Sequence, residues 1–153
     1  EITEAPAPAT GAGGEVAQKL KELAGGGRSA FCLYDGKGSL RYLVKNESGA
    51  ASGDVNKAVA SLDVSRLHAD IVDTAFGTSH DEAEIAFTPD PEIALASARD
   101  GECEVAILLN PTPVEAVVKI ARAGGKMPHK STYFFPKLRT GLVFHAFAPP
   151  ATD

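Results

Sequence analysis

A chain of 153 residues falls within the size range of one domain, roughly 100 to 200 residues, which argues against two packed halves and for one compact domain, or one domain with a tail. Hydrophobic residues at 44% and charged residues at 23% exclude wholesale disorder, a collagen-like chain and a coiled-coil fibre. The net charge of -5 conceals a segregation, with nineteen acids and nine bases in residues 1–118 against six bases and one acid in 119–153, so a basic segment suited to a small anion sits on a chain too acidic for a general nucleic-acid surface.

In chain order, residues 1–14, EITEAPAPATGAGG, are rich in Ala, Pro, Gly and Thr without apolar periodicity, the composition of a disordered linker. A chain that opens on a linker is expected to be a piece of a longer protein. Residues 15–24 predict a short helix with Val16, Leu20 and Leu23 on one face, stopped by Gly25, Gly26 and Gly27. Strand-like runs follow at 29–34 and 40–45, and Asp35, Gly36, Lys37 and Gly38 between them supply turn chemistry for an antiparallel hairpin. The polar stretch 46–53 predicts a loop, and 54–61 is equally compatible with a helical turn or more loop.

Asp63 is placed to cap a helix reaching Phe76, because Val64, Leu67, His68, Ile71, Val72, Ala75 and Phe76 trace one apolar stripe ended by Gly77. Next are expected a strand at 84–88, a helix at 91–99 capped by Asp90 with Pro91 in its first position and Gly101 as stop, and a strand at 103–109. Thr112, Pro113 and Glu115 spell a capping box for a helix over 113–123, with Val114, Val117, Val118 and Ala121 as its buried stripe. A last strand at 142–147 and a loose tail at 149–153 complete the chain. The sum is an α/β or α+β fold, a single mixed-sheet domain over 15–148 with about five strands and four helices.

Most motifs fail in context. Gly25, Gly27 and Ala30 match a dinucleotide fingerprint in spacing, but the match follows a helix and opens a strand, the reverse of what that motif needs. Gly124 with His129, Lys130 and Ser131 makes a near-Walker pattern that also follows a helix and lacks the second glycine. His68, His80, His129 and His145 share no i, i+4 spacing, so no metal site is expected. Cys32 and Cys103 are too few for a disulfide framework and suit buried small apolar positions. No apolar run of about 18 residues occurs and no signal peptide opens the chain, so no membrane partner is expected and the protein reads as cytoplasmic.

Chemistry is densest in KMPHKSTYFFPKLR, residues 126–139, where bases, hydroxyls and aromatics gather without a carboxylate. Pro128 and Pro136 deny it a helix, and an ordered arm with Tyr133, Phe134 and Phe135 partly packed is the natural form. Lys126, His129, Lys130, Ser131, Thr132, Tyr133, Lys137 and Arg139 are the candidate ligand-binding residues, since ammonium groups, hydroxyls and free backbone N–H groups make phosphate or carboxylate sites. The competing reading is a basic arm, pinned by aromatics, that docks onto an absent N-terminal domain or a second subunit, with Phe134 and Phe135 as anchors. No cofactor is required, a nucleotide or phosphate being the candidate ligand. No catalytic pair is legible, so turnover by this chain alone is not expected.

The run from Asn110 to His145, NPTPVEAVVKIARAGGKMPHKSTYFFPKLRTGLVFH, closely resembles the C-terminal signature of an uncharacterised bacterial and archaeal family called domain of unknown function 1015. An N-P-T turn leads through A-x-x-G-x-x-M-P into K-S-T-Y-F-x-P-K and a closing G-L-V, all present here. LDVSRLHADIVDTAFG and DPEIALASARDGECEVAILLNPTP are similar more loosely. The resemblance implies a longer cytoplasmic protein whose N-terminal portion has a fold like those of ParB and sulfiredoxin, some of whose members bind or hydrolyse nucleotides. It marks Lys130, Ser131, Thr132, Tyr133, Pro136 and Lys137 as signature positions.

Overall fold

The computed structural model describes residues 1–46, 55–76, 85–137 and 141. Their framework is an antiparallel four-stranded sheet, β1 (Ile2–Ala5), β2 (Ser29–Tyr34), β3 (Leu40–Lys45) and β4 (Ala106–Leu109), in the order β1-β3-β2-β4. The hairpin expected at 29–45 forms with the expected bounds, Cys32 opposite Tyr42. Its turn is held by the Asp35 carboxylate, which accepts from the Lys37 and Gly38 N–H groups at 3.0 and 2.9 Å, an Asx turn that also holds this carboxyl below the usual carboxylate range. Gly36 has φ +77, and a Cβ there would lie 2.0 Å from the Ala98 carbonyl oxygen. Glycine alone lets the turn rest on the end of the helix at 91–99.

Helices cover both faces of the sheet. On one, α1 (Gly13–Leu23) and α5 (Pro91–Arg99) pack Val16, Leu20, Leu95 and Ala98 onto Ala30, Cys32, Tyr34, Leu40, Tyr42, Ala106 and Leu108. On the other, α3 (Asp63–Arg66), a π-helical stretch (Leu67–Val72) and α4 (Asp73–Phe76) run on as one rod, and Leu67, Ile71 and Val72 meet Phe31, Leu33, Leu43, Ile107 and Leu109. β2 is therefore buried on both faces, and its near-continuous apolar run follows from that position. A third cluster joins α2 (Val55–Ala60) and α6 (Val114–Arg122) to the rod through Val59, Leu62, Val64, Ala116 and Ile120. The mixed α+β class and the Asp90 cap of α5, which accepts from the Glu92 N–H at 2.9 Å, match the sequence expectation.

Several elements differ from it. Residues 2–5 are not linker: β1 pairs with β3, Ile2 opposite Leu43, because ladder hydrogen bonds need no apolar side chains and an edge strand tolerates exposed ones. Gly11 and Gly13 donate to the Glu92 carboxylate at 2.9 Å each, and a Cβ on Gly13 would stand 2.7 Å from the Glu92 nitrogen, so the Gly-rich stretch is a close-packed entry to α1. These two bonds, with Arg99 nearby, hold the Glu92 carboxyl below its usual range. Leu62, not Asp63, occupies the N-cap position of α3, since its burial in the third cluster sets where the rod begins. The 85–88 part of the expected strand lies outside any sheet, and β4 is shorter than 103–109. An alternating apolar run forms a strand only where a sheet edge is open to it. Four strands are thus present among the described residues. The expected loop at 46–53, strand at 142–147 and tail at 149–153 fall wholly or almost wholly outside the described residues.

Candidate functional site

The arm of residues 126–137 grows from the end of α6, and glycine sets its direction. Gly124 at φ 76 donates to the Ala121 carbonyl at 3.0 Å and Gly125 to the Ile120 carbonyl at 2.9 Å, a Schellman closure. A Cβ on Gly125 would fall 2.4 Å from Val55 Cγ1 and 2.9 Å from Ile120 Cγ2, so the chain passes against α2 where no side chain fits. Met127 then packs on the Leu62, Val64 and Ile120 cluster, and the chain turns at Pro128–Ser131.

That turn is tied twice. The Ser131 hydroxyl donates to the Pro128 carbonyl at 2.7 Å and its N–H to the same oxygen at 3.3 Å, with Lys130 in the left-handed region at φ 55. The Thr112 hydroxyl donates to the Ser131 carbonyl at 2.8 Å. This replaces the expected capping box: Pro113 occupies the N-cap position of α6, without a side-chain cap bond, because the Thr112 hydroxyl turns to the arm. His129 meets Phe87 edge-on, ring centroids 6.5 Å apart, so the 85–88 stretch flanks the arm.

Beyond the turn the arm is open. Tyr133, Phe134 and Phe135 are 58%, 59% and 82% exposed, in place of the partial packing expected of them; among the described residues the cluster under the arm takes in Met127 and none of the three rings. Lys126, His129, Lys130, Thr132 and Lys137 are exposed and Ser131 is half-buried. Among the described residues neither Lys126, Lys130 nor Lys137 makes an ion pair. Arg139, His80 and His145 lie outside the described residues. A shallow open depression occupies the outer face of α6, between Val114, Val118, Lys119 and Arg122, and none of Lys126, Lys130 and Lys137 lines it.

That outer face is the feature the sequence misplaced. Ile120 buries α6, at 1% exposure, while Val114 and Val118 of the expected buried stripe are exposed and Val117 is half-buried. The apolar arc of α6 is wider than its contact, and the width itself was the signal in the sequence that part of the arc faces outward.

Reactive groups are few among the described residues. Burial drives the Cys32 thiol up to about 12, against a hydrogen bond from Tyr42 that lowers it, and raises the Tyr42 hydroxyl to about 12, so both are neutral at pH 7 and serve packing. Cys103 is half-buried against the same cluster. No three of the His, Cys, Asp and Glu residues gather to hold a metal ion among the described residues, and no helix among them is long and apolar enough to cross a membrane. No family model, curated protein or solved structure matches the chain, so the resemblance over 110–145 rests on those residues alone.

Proposed function

We propose that this domain is a docking module, whose 126–137 arm seats on an acidic protein surface with Phe134 and Phe135 as apolar anchors and Lys126, Lys130 and Lys137 as the charges around them. The observation that carries this is the exposure of the two phenylalanines, 59% and 82%, at the tip of an arm whose root is fixed. Adjacent exposed aromatics with exposed cations on either side of them in the chain are the composition of an interface centre with a charged rim. A neighbouring domain or subunit in the cytoplasm, of the kind the resemblance implies, would bear the acidic surface.

The alternative use of the same lysines is to hold a phosphate or nucleotide, and the absence of an ion pair to any of them among the described residues suits it as well. Two titrations separate the uses. In the docking account a fluorescent glutamate–tyrosine copolymer, an acidic polypeptide with aromatic side chains, binds the wild-type chain at low salt and fails to bind Phe134→Ser/Phe135→Ser. Inorganic phosphate and ATP then leave the melting temperature unchanged. A bound anion would instead add RT ln(1 + [L]/Kd), about 2.7 kcal/mol at a hundredfold excess over Kd. Such a gain, lost in Lys130→Ala/Lys137→Ala but kept in the aromatic variant, would replace docking by anion binding.

A further inference from the structure

α6 carries apolar residues around more of its circumference than the domain covers. At about 100° per residue, Ile120 and Ala116 point into the third cluster, while Val114, Val118 and Ala121 lie side by side on the next sector. The two valines there are 61% and 41% exposed, and Ala121 is exposed too. Glu115, Lys119 and Arg122 share one flank of this stripe, the acid in the first turn and both bases in the last.

That charge order selects an occupant. If two such helices lay parallel about a two-fold along their axes, their charged flanks would lie on opposite sides of the seam, and Glu115 and Arg122 of the two copies would not meet. In an antiparallel pair related by a two-fold axis perpendicular to both helices, the same flank of each copy comes together with its ends reversed, so acid meets base twice. We propose that α6 pairs antiparallel with α6 of a second copy, across an axis near Val118, with Val114, Val118 and Ala121 in the seam and Glu115 of each copy beside Arg122 of the other. The stripe is thus self-complementary in both apolarity and charge. This pairing goes beyond docking by the arm and does not rest on it.

The contact is short, nine residues or about 13 Å of helix, and belongs with the small interfaces, below about 1,200 Å². A weak, concentration-dependent dimer follows. The test is sedimentation equilibrium on the whole chain, from about 10 μM to about 1 mM. Wild type should pass from monomer to dimer across that range, and Val118→Asp should stay monomeric. Glu115→Arg and Arg122→Glu should each weaken self-association, by about tenfold for two lost ion pairs, and an equimolar mixture of the two should associate at least as well as wild type. Both charge variants change exposed positions, and circular dichroism checks that α6 is retained. A monomeric wild type at every concentration would overturn the pairing. So would a dimer that survives Val118→Asp, one lost in Phe134→Ser/Phe135→Ser, or a mixture no better than its components.

Discussion

The hairpin half of the molecule and the 110–137 half are built from equally apolar stretches and treat them in opposite ways. Ala30, Phe31, Cys32 and Tyr34 of β2 vanish between two helical layers, each below 4% exposure, because helices from before and after it in the chain arrive on both sides. α1 and α5 come from one side and the 63–76 rod from the other. Tyr133, Phe134 and Phe135 form a comparable run and stay more than half exposed, with no core cluster among the described residues taking them in. Their arm is tied at its root by Thr112, Ser131, Gly125 and Met127, contacts that fix position without covering the tip. An apolar run therefore specifies a surface to be covered, and only the partner elements decide whether the cover is internal.

Stability should separate the two halves. Leu95 is fully buried between α5 and the sheet, so Leu95→Ala should cost about 2 to 5 kcal/mol by urea denaturation. A loss below 1 kcal/mol would mean that the hairpin half is loosely packed and the contrast with the arm false. At the root of the arm, Thr112→Val removes one hydroxyl bond to the Ser131 carbonyl and should cost about 1 kcal/mol, while Thr112→Ser should cost less. Equal losses in the two variants would show that the hydroxyl does not hold the arm.

The entry to α1 gives a pH signature confined to the hairpin half. Backbone N–H groups of Gly11 and Gly13 depress the folded Glu92 carboxyl, so its contribution is complete above the ordinary glutamate value, about 4.3, and fades as pH falls through the lower folded value. Glu92→Gln should melt below wild type at pH 7, and the gap should close towards pH 3. A gap that is the same at both pH values would assign the loss to something other than the carboxylate charge.

The elements legible in the sequence were those whose signals are local. Alternation and Asx chemistry gave the hairpin its bounds, and Asp90 with Pro91 gave α5 its start. The remaining differences have long-range causes. β1 is a strand because β3 presents an open edge forty residues on, and α6 faces outward at Val114 and Val118 because Leu62 and Val64 take only its Ile120 side. Thr112 illustrates the same limit within one residue: the capping box was spelled correctly, yet a carbonyl nineteen positions away took the hydroxyl. Of the candidate site, the arm's place and its charge were legible. Whether its aromatics were core or surface was not, since that depends on what lies beyond Met127.

The most direct measurement is therefore the stability of Phe134→Ser/Phe135→Ser beside wild type in urea. With both rings exposed at 59% and 82%, the denaturation free energies should agree within about 0.5 kcal/mol, the usual range for surface substitutions. A loss of several kcal/mol, the scale of about 3 to 5 kcal/mol for truncating one buried phenylalanine, would place the aromatics in the core and contradict the docking surface.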